Sequence, residues 1–218
     1  MKPREIDVAE AILQRRSVRA GFSDRPIPRG TLDAVCRCGL AAPSAKGARP
    51  WRLHVVASRR LLDDIAGAME TSPGIDEYAP SDPATGEPKS GLVSTVLASA
   101  EILRGVPAAV FIETAGTLGH ARRALLAATP EGREASLIGY TFEVMGLGAA
   151  MENMWLAAEA FGLSAVYLGD VIIAERFLEQ HLLVSGELAG ALALGFSEHR
   201  GPQKQSRHLD EECVVWHS

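Results

Sequence analysis

The chain has 218 residues, of which 47% are hydrophobic and 22% charged, and its net charge is −5. This length and composition predict one globular domain, residues 1–218, with enough apolar side chains for a substantial core. The acidic balance and an aromatic content of only 6% argue against a surface that binds nucleic acid. The first residues lack the apolar stretch of a signal peptide, and the three cysteines form neither a disulfide nor a zinc pattern, so we expect a cytoplasmic protein.

The N-terminal half is predicted to contain three helices and one strand. Asp7 begins a helix that extends to about Arg16, and a second helix spans about Pro28–Leu40. A strand is predicted at Leu53–Ala57, and a short helix with apolar residues at helical spacing follows it. The proline-rich stretch 71–90 is predicted to be a long loop, which is either a lid that sets the substrate or a mobile loop without a functional role.

The C-terminal half is dominated by one long helix, predicted at Ala135–Phe161. Its apolar side chains cover most of its circumference, so we expect a partner subunit to cover part of it. The other predicted elements are strands at 107–113, 164–168 and 188–196 and a helix at 174–183. The pattern at 116–133 does not distinguish a short helix from a loop, and residues 201–218 form a C-terminal extension. Together they predict an α+β fold in which helices, including the long central one, surround a small mixed sheet.

Common catalytic motifs are missing from the chain. Gly146-Leu147-Gly148 lies inside the predicted long helix and follows no strand, which argues against a dinucleotide fingerprint. The six histidines show no spacing typical of metal ligands. If the protein is an enzyme, a bound cofactor therefore supplies its chemistry.

Two segments of the chain carry residues suited to a cofactor. Arg15-Arg16-Ser17-Val18-Arg19 places three guanidinium groups and a hydroxyl within five residues, which suits a phosphate. Arginines at a helix end also simply complement the helix dipole. The stretch from Pro43 to Trp51 is rich in small residues, so its backbone can approach a flat ring, although it is equally an ordinary connection between a helix and a strand.

Taken together and in this order, the two segments resemble the nitroreductase family of FMN-binding flavoproteins. That family has the motifs R-R-S-x-R, P-[IV]-P and A-P-S-x-x-N-x-Q-P-W, followed by A-x-Q-N-x-x-L-A-A in a central helix and G-L-G-x-x-[WPY]-x-G after it. The matching segments of this chain are residues 15–19, 26–28, 42–51, 150–158, 162–169 and 194–196, with Arg207 near the C-terminus.

The resemblance implies an intertwined homodimer that binds two FMN molecules between its subunits. The residues that would hold the phosphate are Arg15, Ser17 and Arg207, with Arg16 and Arg19 beside them. The residues that would line the edge of the flavin ring are Pro43, Ser44, Ala45 and Gly47. The residues that would line its face near the reactive N5 are Tyr167, Leu168 and Gly169.

The resemblance also implies a reaction. It is the transfer of electrons from NADH or NADPH through flavin N5 to a nitroaromatic, a quinone or a similar small electrophile, by a ping-pong mechanism. Two alternatives stay open: an FMN-dependent dehydrogenase or oxidase of a small metabolite or peptide that uses no nicotinamide, and a flavin-binding dimer without catalysis.

Two positions depart from the family pattern. Gly47 stands where the family usually has asparagine, and the lost amide would remove a polar contact worth about 0.5–1.5 kcal/mol. Arg49 stands where the family has glutamine, and its charge would favour a reduced, anionic flavin or an acidic substrate.

Overall fold

The structure is a computed structural model that describes residues 2–4, 6–75, 84–87, 94–114, 121–199 and 215–216. The helices are α1 Val8–Gln14, α2 Arg29–Leu40, α3 Arg59–Glu70, α4 Thr95–Gly105, α5 Ala121–Ala127, α6 Arg133–Ala160 and α7 Glu175–Leu182. The strands are β1 Trp51–Val56, β2 Ala108–Thr114, β3 Ser164–Leu168 and β4 Glu187–Gly195. Most of the predicted 71–90 loop, and the 201–218 extension except Val215 and Trp216, lie outside the described residues.

The four strands form one sheet in the order β1-β2-β4-β3. All three pairings are antiparallel, so the prediction of a mixed sheet was wrong for these strands. The apolar pattern of a strand specifies which faces are buried but not the direction of its neighbour, which depends on how the helical connections return the chain. Among the described residues, parallel pairing occurs at one isolated bridge, between Ser17 and Ala165.

The sheet is covered on both faces. All seven residues of β2 are buried, which explains the continuous apolar run of the first five. One apolar cluster lies between the sheet and α3, α4 and α7, and includes Phe111, Leu62 and Leu178. The other lies between the sheet and α2 and α6, and includes Val110 and Met154.

Helix α6 is 28 residues long and is central, as predicted. Its second half holds most of its buried residues, whereas its first half exposes a set of large apolar side chains. These are Leu137, Ile138, Phe142, Val144 and Met145, with relative exposures between 44% and 67%. None of the helices among the described residues is both long and apolar enough to span a membrane.

Two local predictions need revision. Helix α1 begins after Asp7, whose carboxylate accepts hydrogen bonds from the amides of Ala9 and Glu10, but it ends at Gln14 rather than Arg16. Arg15 adopts an extended backbone, which sends the following residues towards β3. Helix α4 was not predicted, because it follows the loop stretch directly and its small and apolar residues lack a clear stripe.

Candidate functional site

The arginine-rich segment lies along the start of β3. The backbone amide of Val18 donates to the carbonyl of Ala165 at 3.0 Å, and Ser17 forms the parallel bridge to the same residue. This pairing fixes the segment beside β3, the strand that leads to Tyr167. Two predicted cofactor-binding regions, residues 15–19 and 167–169, therefore lie along the same strand.

Arg15 is the most constrained arginine of this segment. Its Nε lies 3.2 Å from the Glu152 carboxylate, and its guanidinium carbon lies 4.2 Å from the centre of the Trp155 ring. Its Nη1 is buried and has no hydrogen-bond partner among the residues that the structure describes. A buried cationic donor without an acceptor is costly, and an anion would remove that cost.

The other described residues of the segment are less constrained than Arg15. Arg16 donates from Nη1 to the carbonyls of Leu13 and Arg15, at 3.0 and 2.9 Å, and so caps α1. This contact agrees with the simpler interpretation of an arginine at a helix end. Ser17 and Arg19 are exposed. Arg207 lies outside the described residues, so its expected position beside Arg15 stays a prediction.

The segment from Pro43 to Arg49 folds into a compact turn. Residues Ala45–Gly47 form a 3-10 turn, and the hydroxyl of Ser44 accepts a hydrogen bond from the amide of Arg49 at 2.9 Å. Lys46, Gly47 and Arg49 all have positive φ, between 46° and 66°. Asparagine tolerates this region better than other side chains, and a Cβ at Gly47 would meet nothing within 4 Å. The glycine at this position therefore keeps the backbone that an asparagine would adopt.

This turn packs against α6 and lines a cavity of about 330 Å³. The lining residues are Pro43, Ser44, Ala45, Phe142, Met145, Gly146 and Ala149. Gly146 permits the close approach, because a Cβ there would lie 3.2 Å from the Trp51 ring. A flat group could therefore lie between the small residues of the turn and this face of α6.

A second cavity, of about 360 Å³, lies between α6 and the ends of β3 and β4. The residues that line it are Ile112, Thr114, Tyr140, Glu143, Val144, Leu147, Gly148, Met151, Tyr167, Ile172, Glu187, Leu188 and Ala189. Its volume falls in the range of small-molecule sites. It is mostly apolar, with tyrosine, threonine and carboxylate groups as its polar contacts.

Tyr167 forms one wall of this second cavity. Its hydroxyl donates to the Ala189 carbonyl, and partial burial, aided by Asp170 and Tyr140, raises the pKa of the phenol above its ordinary value. The ring occupies the space above Gly190, where a Cβ would lie 2.5 Å from the phenol oxygen. Leu168 is buried, and Gly169 starts the 3-10 turn at Asp170–Ala174. The structure thus places Tyr167 against the cavity, with Leu168 and Gly169 directly after it.

Glu143 is a candidate site residue that the sequence patterns did not single out. It is only 3% exposed, accepts a hydrogen bond from the Thr114 hydroxyl, and has no partner for its Oε2 among the described residues. A carboxylate in so apolar a stretch of helix is the signal that could have identified it. Its contact with Thr114 depends on how β2 packs against α6, which the helical pattern alone does not reveal.

The predicted ring-binding residues fall on opposite faces of α6. At 100° per residue, positions 142, 145, 146 and 149 form one face, which carries the Pro43–Gly47 turn. Positions 140, 143, 144, 147 and 151 form the other, which faces Tyr167. One chain therefore pairs Ser17 with the strand of Tyr167 and places Arg15 against α6, but it does not bring the turn to the Tyr167 cavity.

Comparison with known proteins identifies the family. The nitroreductase family model matches residues 12–196. The chain belongs to the nitroreductase family.

One relative is similar to part of the chain. The chain is 41% identical over 64 residues to a Thermus thermophilus protein named NADH dehydrogenase, a match that covers 28% of this chain and 31% of that protein. The matched part thus spans about a third of this relative's length.

Solved structures of other proteins share the fold of this chain. A BluB-like flavoprotein from Clostridium difficile 630 superposes with a TM-score of 0.70 at 22% identity, covering 98% of this chain and 100% of that one. An NADPH:FMN oxidoreductase from Vibrio harveyi, complexed with NAD+, superposes with a TM-score of 0.64 at 19% identity, covering 97% of this chain and 77% of that one. At these identities the likeness establishes the fold.

The residues present are compatible with FMN. The free Nη1 of Arg15 suits a phosphate oxygen, and the exposed Ser17 and Arg19 follow it on the same segment. Beyond them, β3 leads to the largely apolar second cavity, which suits a flat heteroaromatic group.

Proposed function

We propose that this protein is an FMN-dependent oxidoreductase that takes electrons from NADH or NADPH and passes them to a nitroaromatic, a quinone or a similar small electrophile. The observation that carries this proposal is the buried Nη1 of Arg15, which lacks a partner among the described residues and lies on the segment that runs beside β3, the strand of the Tyr167 cavity. Family membership and the names of the Thermus and Vibrio proteins support a nicotinamide as the electron donor and a flavin as the cofactor.

In this proposal the chain binds and orients the cofactor. Arg15, Ser17 and Arg207 hold the phosphate, with Arg16 and Arg19 nearby, while Tyr167, Leu168 and Gly169 line the ring face. The turn residues Pro43, Ser44, Ala45, Gly47 and Arg49 reach the ring edge from a second copy of the chain. A bound FMN supplies two-electron transfer at N5, and the apolar walls of the cavity limit access of water to that atom.

A homodimer forms part of the proposal. The exposed apolar residues of α6 lie on both faces of the helix, with Phe142 and Met145 beside the turn and Val144 beside the Tyr167 cavity, and a single chain places the turn and Tyr167 on these opposite faces. A second copy docked on α6 would bury that apolar surface and could bring its own turn to the Tyr167 cavity.

The cytoplasmic location stays a prediction.

The first experiment tests cofactor and donor. The purified protein is loaded with FMN and titrated anaerobically with NADH and with NADPH, while flavin absorbance is followed. We expect at least one nicotinamide to bleach the flavin, and a nitroaromatic or a quinone to restore the colour. A protein that does not take up FMN would refute the proposal. FMN binding without reduction by either nicotinamide would instead favour the metabolite dehydrogenase or the non-catalytic dimer.

The second experiment tests whether each site is built from two chains. Arg15→Ala and Ala45→Trp would each impair FMN binding in a homodimer, the first by removing the phosphate contact and the second by filling the ring edge. Co-expression of differently tagged chains would restore one intact site in each mixed dimer. Mixed dimers that bind no more FMN than the two single variants, measured after tandem-tag purification, would refute the shared site.

A further inference from the structure

We propose that Trp155 is a positioning residue that holds the Arg15 guanidinium in place for the phosphate of a bound flavin nucleotide. Glu152 assists by pairing with the Nε atom of the same guanidinium. This inference rests on the proposed FMN site. It concerns two residues of α6 that would not themselves contact the phosphate.

The geometry around Arg15 is that of a clamp. The indole of Trp155 lies under the guanidinium carbon at 4.2 Å, within the range of a cation–π contact. Glu152 approaches the Nε edge at 3.2 Å. Residues 152 and 155 are three apart on α6 and therefore project from the same side of the helix.

The clamp restricts a side chain that would otherwise be mobile. A free arginine loses about 2 kcal/mol of rotamer entropy when it is fixed. Trp155 is only 7% exposed and is held by the core, so its ring is a rigid support for the guanidinium plane. An arginine already fixed before binding loses less entropy when the anion arrives, and this raises affinity.

Neither Glu152 nor Trp155 engages the Nη1 atom of Arg15, and this atom is available to donate a hydrogen bond to an anion. Glu152 pairs with Nε, and Trp155 covers one face of the group, while Nη1 has no partner within the described part of the chain. An ion pair built only to tie α1 to α6 would not leave a buried donor unsatisfied. Phosphate is a strong acceptor for such a donor, and the neighbouring Ser17 adds a hydroxyl.

The test compares two ligands that differ only in the phosphate. Flavin is removed from the full-length protein, which is then titrated with FMN and with riboflavin, and the dissociation constants are measured by quenching of flavin fluorescence. The variants are Trp155→Leu, which removes the ring, and Trp155→Phe, which keeps an aromatic face. Glu134→Gln, an exposed carboxylate on the same helix, is the matched control.

We expect Trp155→Leu to weaken FMN binding about tenfold while riboflavin binding changes by less than about twofold. Trp155→Phe should recover most of the loss, and Glu134→Gln should match the wild type. If Trp155→Leu does not fold, Trp155→Met, which fills the space with a flexible side chain, takes its place.

The outcomes separate this inference from the proposed function. Equal weakening of FMN and riboflavin, or no weakening of either, would overturn the positioning role while leaving the FMN site intact. A wild-type protein that binds FMN no better than riboflavin would overturn the phosphate site itself, and the role of Trp155 with it.

Discussion

The buried carboxylate of Glu113 joins the end of β2 to the start of β4. Its Oε1 accepts from the amide of Ser185 at 3.0 Å, from the Ser185 hydroxyl at 3.0 Å and from the amide of Gly186 at 2.5 Å. Its Oε2 lies 2.6 Å from His54 Nε2 and 3.6 Å from a guanidinium nitrogen of Arg52. The network fixes the turn directly before Glu187, which lines the Tyr167 cavity.

This network lowers the pKa of Glu113. Burial is the largest single influence and by itself would raise the pKa, but the hydrogen bonds from His54, Gly186 and Ser185 together outweigh it. A carboxyl group whose pKa is lower in the folded state stabilises the fold at pH values above its unfolded pKa of about 4.3. That contribution is lost as the pH falls through the folded-state value.

The perturbation that tests this reasoning is Glu113→Gln. The amide keeps the shape and can still accept from Ser185 and Gly186, but those bonds lose their charge, and hydrogen bonds to a charged group are roughly twice as strong as neutral ones. With these three bonds to Oε1 and the contact between His54 and Oε2 weakened by about 0.5 kcal/mol each, we expect the free energy of unfolding at pH 7.5 to fall by about 2 kcal/mol.

The assay is urea unfolding at fixed protein concentration, because the stability of the proposed dimer would depend on concentration. We expect the difference between wild type and Glu113→Gln to shrink as the pH falls below about 4, where the wild type loses the same charge. Glu134→Gln, on an exposed part of α6, should stay within about 0.5 kcal/mol of wild type. Equal stability at pH 7.5, or a difference that does not change with pH, would refute the reasoning.

Two further predictions concern glycines and cysteines. A Cβ at Gly186 would lie 2.2 Å from the Thr114 carbonyl oxygen, so Gly186→Ala should prevent soluble expression; Gly67→Ala, where a Cβ meets nothing within 4 Å, should raise stability by about 0.5–1 kcal/mol. A soluble Gly186→Ala protein with an unchanged melting temperature would contradict the first. Burial, aided by Asp33, raises the pKa of the Cys36 thiol to about 11, whereas Cys38 is exposed. Iodoacetamide at pH 8 should therefore alkylate Cys38 well before Cys36, and peptide mass mapping that shows equal rates would contradict this.

Local sequence determined most of the elements of this protein. The long helix and the strand at Ser164–Leu168 follow directly from apolar periodicity, and the cap at Asp7 and the glycine after α6 mark helix ends. Each signal lies within one element and depends on contacts a few residues apart, so it can be read without the fold. The ordered motifs likewise identified the family that the comparison then established.

The tertiary structure alone decided which distant residues meet. The antiparallel direction of the strands, the contact of Thr114 with Glu143 and the support of Arg15 by Trp155 all join segments far apart in the chain. The same holds for the separation of the turn at Pro43 from Tyr167 by the width of α6. Periodicity tells which side of an element is apolar, but the partner of each side is set by how the elements pack, and that depends on the whole chain at once.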